Sequence, residues 1–167
     1  MNLFVLDSNP TVAPSYLYKV HVSKMPLETT QLLCDATRVL TGDAPYKAYN
    51  VNNPLVKWIL ADYRNYGWLW FYGISLFAEF QSRRGKMHKS FEAFSKLPKP
   101  PLNVDDVYDY SSYAIPFTLP PLVMPDEFQR PCGNIYDVVA CYRDFYKNGK
   151  SHLANFENLT PPTWYEK

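Results

Sequence analysis

The sequence predicts a mainly α-helical fold, and three observations carry that expectation. Two long segments, about residues 10–41 and 53–84, repeat apolar residues at helical rather than alternating spacing. A shorter segment at about 134–148 does the same, and no two alternating runs meet at a hairpin turn. With 167 residues, 47% hydrophobic and 17% aromatic, the chain can bury one sizeable core and is short for two. Residues 1–167 are therefore expected to form one compact domain around a long aromatic central helix.

Each element has local reasons. After "FVLD", a short extended start, Asn9 or Thr11 can cap a helix opening near Pro10, because Pro10 and Pro14 are tolerated only in a first turn. "TGDAP" closes that helix. Val22, Met25, Leu32, Leu33, Ala36 and Leu40 share its buried side, and Pro26 is expected to kink or restart it at Met25 by removing a backbone donor. In the second segment Pro54 takes a first-turn position, and Trp58, Ile59, Tyr63, Tyr66, Trp70, Ile74, Phe77 and Phe80 recur almost all round. Gly67 and Gly73 there suggest close helix approach. Residues 98–133 hold Pro98, Pro100, Pro101, Pro116, Pro120, Pro121, Pro125 and Pro131, eight of the fifteen prolines. That stretch reads as an ordered loop insert, anchored by Tyr108, Tyr110, Tyr113, Phe117 and Leu122. The last helix carries Ile135, Val138, Val139, Tyr142 and Phe145 at core spacing and stops at "KNGK", before a proline-braced aromatic tail.

Composition removes several classes of function. A charged fraction of 20% and a formal net charge of +1 do not describe a general polyanion binder, so nucleic-acid contact has to come from a local patch. Cys34, Cys132 and Cys141 are odd in number and lack zinc-site spacing, which predicts no metal and no disulfide framework and fits a reducing cytoplasm. The start lacks a secretory signal, and the apolar run at 66–80 is shorter than the ~20 residues of a membrane span, so no membrane partner is expected. No G-x-S-x-G, Walker loop, H-E-x-x-H or Gly-rich dinucleotide turn occurs, and six glycines leave little for a phosphate cradle; no cofactor is expected.

Charge is segregated. Arg83, Arg84, Lys86, Lys89, Lys96 and Lys99 face only Glu92, while Asp105, Asp106, Asp109, Asp126 and Glu127 in 100–129 face no base. Either the two stretches neutralise each other or face water, or "SRRGKMHKS" forms a phosphate-binding edge. In the first helix His21, Lys24, Glu28, Gln31, Asp35 and Arg38 form one polar stripe, with His21 and Glu28 on its buried edge provided Pro26 keeps the register. Lys24 stands four residues before Glu28, the spacing of a helical ion pair. A mixed-sign stripe is also what a solvated helix face looks like.

Three pieces of this chain resemble the phage endonuclease V type of pyrimidine-dimer DNA glycosylase. "HVSKMPLE" matches a family helix in which a histidine precedes the catalytic glutamate by seven residues; "VKWILADYRNYGWLWFYGISLFAEFQSRRGK" is similar to the family's central helix; "PPTWYEK" is similar to its terminal run. The resemblance implies a compact mainly α fold whose first long helix delivers Glu28 to a cleft near the N-terminus. It also implies attack on the sugar C1′ by the N-terminal α-amine, a Schiff base, cleavage of the glycosidic bond and elimination of the 3′ phosphate. An α-amine suits that role because its pKa of ~7.7 to 8.0 leaves a neutral fraction at physiological pH. Here Asn2 follows Met1, and since initiator methionine is removed mainly before small residues, the amine is expected to be that of Met1.

Three functions follow as expectations. The first is a glycosylase for damaged or modified pyrimidines, with or without lyase activity. Met1, His21 and Glu28 would be catalytic, and Asn2, Lys24, Gln31, Arg38, Arg64, Arg83, Arg84, Lys86, His88 and Lys89 would contact substrate. The second is a phage protein that binds or sequesters a small nucleotide in the same polar cleft, in the host cytoplasm. The third is a protein-interaction module using Tyr108, Tyr110 and Tyr113 of the insert.

Overall fold

A computed structural model describes residues 2–101, 103, 105–108 and 118–166, and in it residues 3–6 of the extended start are buried. Leu3, Val5 and Leu6 are fully covered and Phe4 nearly so. Arg143 Nε donates to Leu6 O at 2.8 Å and Trp68 Nε1 to Ser8 O at 2.9 Å, so distant side chains satisfy carbonyls that have no sheet partner.

The expected helix at 10–41 arrives in two pieces. Asn9 Oδ1 accepts from Thr11 N at 2.9 Å and leads into a 3-10 turn, Ala13–Tyr16, with Pro14 inside it. The chain then extends through Leu17 and Tyr18 before helix α1, Lys19–Thr41. The break has a cause: Tyr18 N donates not along a helix but to the Tyr146 hydroxyl, at 2.7 Å. Gly42, at φ 83°, ends α1 in the left-handed conformation that glycine adopts without strain, its N–H returning to Arg38 O.

Pro26 does not restart the helix; α1 runs through it. A proline forfeits one backbone bond and crowds the preceding turn, but Val22, Met25 and Pro26 are all buried, so tertiary packing holds what local propensity opposes. The polar stripe therefore keeps its register. Leu40 does not join the buried side and is 69% exposed, because the last turn of α1 extends past the core.

The expected helix at 53–84 is also two helices, α2, Pro54–Ala61, and α3, Tyr63–Arg84. Asn53 caps α2 by accepting from Leu55 N at 2.8 Å, with Pro54 in the first turn as expected. Asp62 adopts an extended conformation between the helices and accepts from Arg64 N at 2.9 Å, so one residue ends the first and caps the second. Helix α3 buries Trp68, Leu69, Tyr72, Leu76, Phe77 and Phe80 but leaves Tyr63 62% exposed, so it has a wet side after all. Gly73 allows the close approach the sequence suggested: a Cβ there would lie 2.5 Å from the Phe94 ring.

Helices α1, α2 and α3 pack on one another and form the body of the molecule. The short helices α4, Phe91–Phe94, and α5, Asp105–Tyr108, follow. Helix α6, Ile135–Asp144, opens on a capping box in which Asn134 accepts from Tyr136 N and Asp137 N while Asp137 accepts from Asn134 N. It continues into a π-helical turn, Phe145–Gly149, and the chain ends with α7, Thr163–Glu166. Among the described residues there is no strand, the fold is mainly helical, and no helix is long and apolar enough to cross a membrane.

The described parts of the proline-rich insert are tied to this body. Trp58 Nε1 donates to Thr118 O at 2.7 Å, Tyr142 Oη donates to Pro121 O at 2.7 Å, and Leu122 packs on the core. Tyr110, Tyr113, Phe117 and the side chain of Tyr108 lie outside the described residues.

Candidate functional site

Glu28 sits where the start of the chain meets α1. The buried segment of residues 3–6 brings Asn2 out beside the helix, and Asn2 N donates to Glu28 Oε2 at 2.8 Å. Lys24, one turn earlier, places its Nζ 2.9 Å from Oε1, so each carboxylate oxygen has its own donor. The Asn2 side chain turns back to accept from Leu3 N at 2.8 Å, which fixes the first described peptide. Glu28 is only 9% exposed, so an acid brought to the chain's beginning is also largely withdrawn from water. Met1 lies outside the described residues.

His21 lies two turns before Glu28, 5% exposed, with its ring centroid 4.5 Å from that of Phe4. Its Nδ1 is 2.8 Å from Tyr146 Oη. The same hydroxyl receives the Tyr18 N–H at 2.7 Å, and an amide nitrogen can only donate. Tyr146 is fully buried, so the one arrangement that leaves no group orphaned has its O–H donating to Nδ1. His21 is then neutral, with its proton on Nε2. Burial depresses its pKa from 6.5 to about 4, helped by the positive charges of Lys150 and Lys24 and opposed by Glu28. Among the described residues Nε2 has no protein partner. This imidazole is set up as a hydrogen-bond donor and not as a base.

Tyr72, on α3, adds a third polar group below the acid. Its ring is fully buried and stacked on Trp68, and its hydroxyl lies beside the Phe4 backbone without a hydrogen bond of good geometry. Burial raises the Tyr72 phenol, with the nearby charges of Tyr142 and Glu28 adding to it. Tyr146, Tyr72, Tyr18 and Lys150 were not among the sequence candidates. Tyr146 lies in the π-helical turn and is buried there together with Phe145.

The structure therefore brings Asn2, His21, Lys24 and Glu28 together. Gln31 is half-buried one turn further along α1. The expected phosphate-binding arginines are occupied within the chain. Arg38 donates to Ala44 O and Tyr46 O, at 2.9 and 2.6 Å, and holds the loop after α1. Arg64 Nε donates to Asp62 Oδ1 at 2.8 Å. Arg83 Nε donates to Glu79 at 2.6 Å and its other nitrogens to Leu17 O and Ser15 O, bracing the break before α1. Arg84 pairs with Glu157 at 2.6 Å and reaches Lys19 O. Lys86 and Lys89 are exposed, and His88 packs against Phe77 and Phe80 while its Nδ1 accepts from Ser90 N.

A separate pocket of about 320 Å³ lies elsewhere, between α1, α2 and α3 and lined by Leu40, Ile59, Leu60, Tyr63, Tyr66 and Pro98 among others. It is mostly apolar and shares no residue with the Glu28 cluster. Among the described residues no group of three His, Cys, Asp or Glu side chains could hold a metal ion. No protein-family model, curated protein or solved structure matches the chain.

Proposed function

We propose that this chain is a DNA glycosylase of the N-terminal-amine type, acting on damaged or modified pyrimidines. The observation that carries the reading is the 2.8 Å contact between Asn2 N and Glu28 Oε2. As a peptide nitrogen that atom is no nucleophile, since its lone pair is delocalised. The reading therefore requires a free amine at this end: that of Met1, one residue beyond, or that of Asn2 after loss of Met1. The amine nitrogen bonds to C1′ as the glycosidic C–N bond breaks and the base leaves with a proton. The sugar ring then opens as the C1′–O4′ bond breaks and O4′ takes a proton, which gives the iminium; loss of a proton from C2′ then expels the 3′ phosphate. Glu28 faces the cation and carries protons, and the Nε2–H of His21 offers a neutral donor to an acceptor on the sugar or base.

The test is borohydride reduction during incubation with duplex DNA containing pyrimidine dimers or abasic sites, which turns the iminium into a stable secondary amine. A DNA adduct on the N-terminal peptide supports the reading, and its mass identifies residue 1 or residue 2 as the attachment point. Absence of both adduct and strand cleavage across a lesion panel removes it.

A second reading, binding of a small nucleotide, is favoured by one specific observation. Arg38, Arg64, Arg83 and Arg84 are engaged by the chain's own oxygens, and the formal net charge is +1, leaving less for a long phosphate backbone. Thermal stabilisation by mononucleotides but not by duplex DNA would select it.

A further inference from the structure

Cys132 and Cys141 are nine residues apart in sequence, and their sulfurs are 3.9 Å apart, essentially in van der Waals contact. All three cysteines are free thiols, and no interaction links Cys34, buried on α1, to another sulfur. Cys132 is half-buried in the segment that leaves the proline-rich insert, and Cys141 is buried on α6. The segment between them is already folded back: Gly133 N and Asn134 N both donate to Asp137 Oδ2, at 2.9 and 3.2 Å. A disulfide needs its sulfurs at about 2.05 Å, so closure requires them to approach by a little under 2 Å. Cys132 belongs to no helix, which leaves its side chain and loop able to supply that movement.

We infer that Cys132 and Cys141 form an oxidisable pair that closes into an intramolecular disulfide under peroxide, pinning the exit of the proline-rich insert to α6. The chemistry balances with hydrogen peroxide as oxidant. The Cys132 thiolate, on the more accessible sulfur, attacks one peroxide oxygen and becomes a sulfenic acid with release of water. The Cys141 sulfur then attacks the sulfenic sulfur, the S–S bond forms, and the hydroxyl leaves as a second water. Two thiols lose two electrons and two protons in total. Closure is slow at neutral pH and faster in alkali, because burial, the neighbouring Cys141 and the charge of Asp137 push the Cys132 thiol up to about 11.

The experiment exposes the folded full-length chain to stoichiometric hydrogen peroxide, then blocks free thiols and maps peptides without reduction. The expected result is a linked Cys132–Cys141 peptide pair, a mass loss of two hydrogens, and free thiols falling from three to one with Cys34 still blocked by the reagent. In the surface-side variant Cys132→Ser no linkage forms, while its circular dichroism matches the parent. Sulfinic acid on Cys132 with Cys141 still free, or a dimer joined through Cys132, would overturn the inference. So would a Cys34-containing link.

Discussion

Replacing Tyr146 by Phe isolates one hydroxyl at the centre of the site. The ring remains, and with it the stack on Tyr18 at 4.1 Å between centroids and the edge contact with Phe4 at 4.9 Å. What disappears are two buried hydrogen bonds, from Tyr18 N at 2.7 Å and to His21 Nδ1 at 2.8 Å. Each leaves a group unpaired away from water, at about 1–3 kcal/mol apiece, so the expected loss is on the order of 3 kcal/mol. For a chain of this size a loss of that order lowers the thermal midpoint by roughly 6–12 °C. Urea denaturation gives the free energy, and ¹⁵N imidazole spectra report the tautomer. In the parent the proton should reside on Nε2; in Tyr146→Phe that preference should weaken and the histidine pKa should rise. A loss below about 1 kcal/mol with an unchanged Nε2–H tautomer would refute the hydrogen-bond chain, since such a bond contributes at least that much when its partner groups are buried.

Other outcomes follow from the same geometry. The native pKa of His21, about 4, lies below the usual 6.5, so between these values the unfolded chain binds more protons. Stability should thus hold above about pH 6.5 and fall as pH drops toward 4, by on the order of 3 kcal/mol, and His21→Gln should flatten that slope in acid titrations. Glu28→Gln keeps an acceptor for Asn2 N and loses only a pair with an exposed lysine, so it should cost about 1 kcal/mol while abolishing the borohydride adduct. A folded variant that still forms the adduct would separate Glu28 from the chemistry. Gly73→Ala places a methyl 2.5 Å from the buried Phe94 ring, and about 1–3 kcal/mol of overpacking should exceed the roughly 1 kcal/mol gained in helix propensity. Calorimetry of the single variant and of its pair with Phe94→Leu checks this, because the smaller side chain should recover most of the loss.

The helical stripe was legible because a 3.6-residue period alone places His21, Lys24 and Glu28 on one face, and α1 keeps that period through Pro26. The survival of the helix at that proline was not legible, since it depends on what buries Val22 and Met25. Nor was the break at Asp62, where one side chain both ends α2 and caps α3 inside a run of apolar residues whose periodicity continues across it. The hydroxyl of Tyr146 escaped notice for a different reason. Its partners, Tyr18 N and His21 Nδ1, lie 128 and 125 positions away, and no local pattern registers such a pairing. The clustering of arginines was plain in the sequence, but their partners were not: Ser15, Leu17 and Glu157 are 60 to 75 positions from Arg83 and Arg84.

Those partners decide how any DNA binding should respond to salt. A guanidinium held by a carboxylate and by carbonyls must lose those bonds before it can neutralise a phosphate, whereas exposed Lys86 and Lys89 surrender little. Each phosphate neutralised contributes about 0.9 to the slope of log affinity against log salt on duplex DNA. Lys86→Gln and Lys89→Gln should therefore each lower the slope by up to about 0.9 with no change in thermal midpoint. Arg83→Gln should do the opposite: it opens the carbonyls of Ser15 and Leu17 beneath the start of α1, lowering the midpoint while leaving the slope alone. If instead Arg83→Gln or Arg84→Gln reduces the slope at constant stability, the arginines leave their internal partners on binding, and the case for a small nucleotide over duplex DNA loses its structural basis.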